Sequence, residues 1–224
     1  DPYAELMGEV SSISKRDGRL VGHAKDPITS GLALEAFLPP GHWEKTGGEA
    51  LALGAGGSSI AITSYLMDAR RGPNRPTRIV VTNRSKPRLE EIEAVHRKVG
   101  CPVPVEYIHA PRPEDNDRVV DSLRPHSLVM NATGLGKDAP SSPITDAARF
   151  PRHGLAWDFN YRGNLVFLDQ ARAQKESRQL WIEDGWIYFI HGWTQVIAEV
   201  FHIAIPASGP DFDALAHIAA SVRT

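Results

Sequence analysis

The chain has 224 residues, 42% hydrophobic and 23% charged, and a formal net charge of −2. That is length enough to bury a sizeable core; near-neutral charge gives no reason to expect nucleic acid as a partner, and no apolar run approaches the roughly 20 residues of a membrane span. The single cysteine, Cys101, permits no internal disulfide and fits a reducing cytoplasm.

No signal peptide opens the chain. It starts on Asp1-Pro2 without Met and in mid-motif, so a segment is expected to have been lost upstream. Strands predicted at 9–14 and 19–24 form a hairpin about Arg16-Asp17-Gly18, and a helix follows at 27–38. Pro39-Pro40-Gly41 and Gly47-Gly48 punctuate a loop and place a boundary near 40–48. Beyond it, apolar strands at 51–54, 78–83, 104–108, 127–131, 154–159 and 179–182 are separated by helical segments. These helices fall at 58–70, 87–99, 113–123, 164–175, 186–203 and 210–222. Such alternation predicts an α/β fold, a doubly wound parallel sheet covered on both faces.

The run LALGAGGSS at 51–59 reads as strand, glycine turn and helix start. A helix N-terminus offers unpaired N–H groups and the positive end of a dipole, and glycines let a pyrophosphate approach the backbone closely. Gly54, Ala55, Gly56, Gly57, Ser58 and Ser59 are therefore candidate dinucleotide-binding residues, although an ordinary tight turn would look the same. The second strand ends in Asn83, Arg84, Ser85 and Lys86, with Arg88 beyond. An acidic residue at this place would favour NAD; Asn followed by cations favours the 2′-phosphate of NADP. The alternative is a solvated basic start to the helix 87–99, which is electrostatically unfavourable without an anionic partner. Asn131, Ala132, Thr133 and Gly134, past the end of the strand 127–131, lie at the ligand edge of an open α/β sheet, or form a plain strand-ending turn.

With these pieces in order, nearly the whole chain resembles the shikimate/quinate dehydrogenase family. GAGGSS at 54–59 resembles its GAGGA[AS] loop, TNRS at 82–85 its NRT segment, and NATGLG at 131–136 its NATP-type loop. DFNYRGNLVFLDQA at 158–171 is similar to D-x-x-Y-x-P-x-x-T-x-L-L-x-x-A. The DGW at 184–186, with Gly185, resembles the closing G-x-x-M-L-x-x-Q-G segment, and MGEVSSISKRDGRLVGHAKD at 7–26 resembles GAVNT…DG-x-L-x-G-x-NTD.

The resemblance implies a Rossmann NADP-binding domain at 48–203, a remnant of an α/β substrate-binding domain with a connecting helix at 1–47, and a helix at 204–224 packing back toward the substrate domain. It implies hydride transfer between NADP and a shikimate- or quinate-like cyclic hydroxy acid, with Asp26 as the catalytic Asp of NTD, Gly185 among the cofactor residues, and a homodimer left open. Asp26, followed by Pro27, is also a plausible cap of the helix 27–38. The family's N-terminal domain, with its catalytic Lys, is absent from these residues. Ser11 replaces the substrate-binding Asn, Ala24 and Lys25 replace the Asn and Thr of NTD, Gly163 the Pro after Tyr161, Val166 the Thr, and Gly192 the Gln. Ser11, Tyr161 and Gln195, one turn beyond Gly192, are the substrate-side candidates in a rewritten pocket. Lys25 is a new cation beside Asp26, a candidate either to bind a substrate carboxylate or to substitute in the catalytic pair. No His/Cys/carboxylate spacing suggests a metal. The other functional class is a ligand-sensing or regulatory module that has kept the fold without turnover.

Overall fold

The computed structural model describes residues 1–223. Its first element, α1 (Pro2–Met7), is short and held by its ends: the Asp1 carboxylate accepts from the Ala4 amide at 2.8 Å, Pro2 opens the helix, and Gly8 closes it in the left-handed region. β1 (Ser12–Arg16) and β2 (Arg19–His23) form the expected antiparallel hairpin, in register from Arg16↔Arg19 to Ser12↔His23. Asp17 and Gly18 between them both have positive φ, the two-residue turn whose twist suits a hairpin.

After α2 (Asp26–Phe37) comes a second unforeseen helix, α3 (His42–Thr46), between Gly41 and Gly47. There follow β3 (Ala50–Leu53), α4 (Gly57–Met67) with a 3₁₀ turn at Ala69–Arg71, β4 (Ile79–Asn83), α5 (Lys86–Val99), β5 (Val105–His109) and α6 (Pro113–Asp121). The chain then runs through β6 (Leu128–Asn131), β7 (Leu155–Asp158), α7 (Val166–Arg172), α8 (Lys175–Arg178), β8 (Trp181–Glu183), α9 (Trp186–Phe201) and α10 (Pro210–Ser221). The helix expected over 164–175 is thus divided, and the one expected over 58–70 stops at Met67.

The six later strands form one parallel sheet in the order β5-β4-β3-β6-β7-β8, the doubly wound arrangement expected. Strand order reverses between β3 and β6, so the loops leaving them go to opposite faces and a crevice opens at their carboxyl ends. The inner strands β3, β6 and β7, and β4 as far as Thr82, are buried on both faces because both are covered, while the edge strands β5 and β8 keep exposed positions. Ala50, Ala52, Ile79, Val81, Met130 and Trp157 pack against α2, α4 and α5. Leu51, Leu53, Val80, Val129 and Ala156 pack against α6 and α7. Each fully buried large side chain, such as Trp43, Trp157 or Phe167, contributes about 1.5–3 kcal/mol by leaving water. The hairpin stays outside this sheet as a sheet of its own. No helix among the described residues is long and apolar enough to cross a membrane.

Candidate functional site

At the crevice, β3 turns into α4 through Gly54, with φ +105. A Cβ there would stand 2.9 Å from the Ala132 carbonyl oxygen, so only glycine lets the turns after β3 and β6 lie against each other. Ala55 is buried, whereas Gly56 is exposed with open space before it. α4 begins at Gly57 with no side-chain cap. Its first amides therefore face the crevice without an acceptor among the described residues. Ser58 is half-buried in the first turn of α4. Ser59 is fully buried, its hydroxyl donating to the Gly54 carbonyl at 2.7 Å, which fastens the turn from behind.

The end of β4 is cationic and open. Asn83 closes the strand, its carbonyl accepting from the Ala110 amide at 2.9 Å; Ser85 precedes α5 and Lys86 is that helix's first residue. Arg84 and Lys86 are exposed, and neither pairs with a carboxylate among the described residues; Arg88 pairs with Glu91 at 2.7 Å. Two cations without a carboxylate partner at a helix N-terminus have the charge and position to hold a phosphate.

Past β6, the fully buried Asn131 side chain organises the loop. Its Nδ2 donates to Asp158 Oδ2 at 3.1 Å and to the Leu135 carbonyl at 3.3 Å, while its Oδ1 accepts from the Thr133 amide and hydroxyl at 3.1 and 2.7 Å. The amide of Asn160 donates to Asp158 Oδ1 at 2.9 Å. Burial pushes the Asp158 carboxyl up to about 6, against the pull of these hydrogen bonds. Ala132, Thr133 and Gly134 remain half-buried at the crevice.

On the other wall, Asp26 is the first residue of α2, after Lys25, and no side chain caps that helix. No hydrogen bond to the Asp26 carboxylate occurs among the described residues, and burial raises its proton affinity. Ser11 braces this strand end: its hydroxyl donates to the His23 carbonyl at 3.2 Å and accepts from the Lys25 amide at 2.8 Å. The Lys25 ammonium turns to Glu199 on α9, which also pairs with Arg16. The hydrogen bond from Lys25, with that from Arg16, holds the Glu199 carboxyl at about 2 despite partial desolvation. Gln195 shares a cleft of about 360 Å³ with Arg16, Lys25, Glu199 and His202.

Tyr161 stacks on Phe189 with ring centroids 4.1 Å apart. Gly185 lies so close to β7 that a Cβ would stand 2.1 Å from the Phe159 carbonyl oxygen. α9 thus receives Asp26 near Tyr188, Tyr161 at Phe189 and Lys25 beside Gln195. No hydrogen bond or ion pair joins Asp26, Tyr161 and Gln195 directly among the described residues. No group of three His, Cys, Asp or Glu that could hold a metal gathers among them either.

Sequence reasoning passed over Glu9, Tyr188 and Glu199. Glu9 carried a signal, since it stands where the motif GAVNT has Ala. Tyr188 sits in an aromatic-rich stretch that looks like ordinary core, and Glu199 lies far from its partners in sequence.

Over 179 residues the chain is 30% identical to the shikimate dehydrogenase (NADP(+)) of Streptococcus thermophilus, covering 78% of this chain and 57% of that protein. It is 30% identical over 180 residues to the enzyme of the same name from Symbiobacterium thermophilum, covering 80% and 55%. The chain thus spans little more than half the length of the curated relatives it matches. Among solved structures, quinate dehydrogenase from Corynebacterium glutamicum in complex with NAD superimposes with a TM-score of 0.72 at 18% identity, covering 99% of this chain and 71% of that one. A chorismate mutase/shikimate 5-dehydrogenase fusion protein from Clostridium acetobutylicum gives 0.69 at 19%, covering 100% and 71%. No family model matches the chain.

Proposed function

The chain is a relative of the shikimate dehydrogenases, and from that kinship we propose that it is the cofactor-binding part of an NADP-dependent oxidoreductase acting on a shikimate- or quinate-like cyclic hydroxy acid. The observation that carries the reading is the crevice between β3 and β6, where an uncapped helix N-terminus behind an open Gly56 lies on the same sheet edge as the unpaired Arg84 and Lys86. These are two anion seats, one for bridging phosphates and one for a 2′-phosphate, and together they fit NADP better than NAD.

When bound, the nicotinamide supplies the hydride acceptor or donor. Asp26 is the residue proposed to exchange the proton of the reacting hydroxyl, and its raised proton affinity suits a group that gives and takes a proton nearer neutrality. Ser11, Tyr161 and Gln195 are proposed to contact substrate, and the open space at Gly192 leaves a pocket of changed shape. Gly54 to Ser59, Asn83 to Lys86, Asn131 to Gly134 and Gly185 are proposed to surround the cofactor, with Ser59 and Asn131 acting from behind it. The division at residue 47 belongs to the same proposal, supported by the separate sheet of β1 and β2. So do cytoplasmic location and a homodimer, the latter read by light scattering.

A second reading, a ligand-sensing module without turnover, draws on Lys25, which pairs with Glu199 and leaves Asp26 without a cationic partner among the described residues. Fluorescence titration of the chain with NADPH and NADH tests the cofactor claim: tighter binding of NADPH is expected, and a preference for NADH overturns it.

A further inference from the structure

Glu9 lies on the loop between α1 and β1, and its carboxylate stands over the first turn of α4. A Cβ placed on Gly57 would meet its Oε1 at 2.8 Å and its Oε2 at 3.1 Å. This is the turn that no side chain caps. The positive end of the helix attracts the carboxylate there by the same field that would attract a phosphate.

Nothing else in its surroundings favours a negative charge. Among the described residues Glu9 has no ion-pair partner and no hydrogen-bond donor of normal geometry. Asp26 faces it from α2, the Tyr188 hydroxyl from α9, and Gly57 and Ser58 from α4. The nearby cation Lys25 is engaged by Glu199. Partial burial first, and then the Asp26 charge, raise the proton affinity of the Glu9 carboxyl.

We propose that Glu9 is a cofactor-site residue that couples dinucleotide binding to the uptake of one proton from solvent. Ionised, it holds the place of an anion at α4 and repels bridging phosphates. Protonated, it loses that repulsion, and its O–H can donate to a phosphate oxygen. The proposal rests on reading the turn after β3 as a dinucleotide site, and it names a control on binding at that site. The sign follows from linkage: the complex holds the Glu9 proton more tightly than the free protein, so affinity rises as pH falls through the Glu9 titration.

Calorimetric titration of the chain with NADP⁺ from pH 5.5 to 8.5, for the parent and for Glu9→Gln, tests this. Glu9 lies on a loop outside every helix and strand and Gln matches its shape, so the variant keeps the fold. At pH 7.5 Glu9→Gln should bind about tenfold tighter, because one like-charge contact at close range has been removed, and the gap should narrow as pH falls. Adenosine 2′-monophosphate carries the same 2′-phosphate titration without bridging phosphates, and should bind both proteins equally at every pH. Equal NADP⁺ affinity of the two proteins across the pH range, with the dinucleotide bound, overturns the role of Glu9 alone. Failure of both proteins to bind NADP⁺ at any pH overturns the dinucleotide site and, with it, the role of Glu9.

Discussion

Asn131 and Asp158 end neighbouring strands in the same register, and the Asn131 amide donates to the Asp158 carboxylate across 3.1 Å where both side chains are fully buried. Asp158 holds its proton to about pH 6 in the folded chain against an ordinary value of 3.8. The folded state therefore binds more protons between these two values, and the Asp158 contribution to stability falls as pH rises through that window. The expected loss is about 3 kcal/mol, essentially complete by pH 7. Urea unfolding of the parent and Asp158→Asn at a series of pH values isolates it. The stability difference should move by most of that amount in favour of the variant between pH 4 and pH 7; a difference that stays constant refutes the assignment.

Arg84→Ala should weaken NADPH binding by roughly 1.5–3 kcal/mol, the worth of one charge-assisted phosphate contact, and leave NADH binding nearly unchanged. Fluorescence titration with both cofactors reads it. Equal losses for the two would place the Arg84 contact elsewhere than on the 2′-phosphate.

Gly163 takes the place of the Pro in the motif that follows Tyr161, and its surroundings forbid the reversal. It has φ +89, and a Cβ would stand 2.1 Å from the Gly136 carbonyl oxygen. Proline holds φ near −65°, and any side chain forces the two loops apart. Gly163→Ala and Gly163→Pro should each cost at least about 2 kcal/mol in urea denaturation. An unchanged midpoint for either would show that the loops yield freely.

Asp26→Asn in the enzyme that carries this chain should lower kcat by roughly 10²–10⁴-fold, the usual worth of an acid–base partner, with cofactor affinity changed far less. Steady-state kinetics beside direct cofactor titration separates the two effects. Turnover that survives the change removes Asp26 from the reaction and leaves the substrate-side assignment without its centre.

The sheet was legible because its inner strands are short apolar runs covered on both faces, and each strand lies within a few residues of its predicted place. α1 and α3 were not. Helices of six and five residues have too few turns to show periodicity, and what defines them is terminal: Asp1 and Pro2 for one, Gly41 and Gly47 for the other. Gly41 and Gly47 read as loop punctuation, while in the fold they bracket a helix. The glycine turn and the cations after β4 were readable because backbone freedom and charge are properties of residue type. The separate positions of Ser59 and Asn131, turned into the protein, depend on hydrogen-bond partners that only folding brings near. Lys25 shows the same limit. Beside Asp26 in the chain it looked like a partner, yet its ammonium goes to Glu199, 174 residues away.

The turn at Asp17-Gly18 acts as a fixed spacer. Glu199 is gripped by Arg16 from the turn end of the ribbon and by Lys25 from beyond its open end, so both grips depend on how many residues lie between them. Hairpin tips are usually where a chain tolerates an added residue. Here an extra residue that slipped the register would reverse the faces of the ribbon and pull Arg16 out of step with Lys25. Length variation in this loop should therefore be tolerated less than its exposed position suggests.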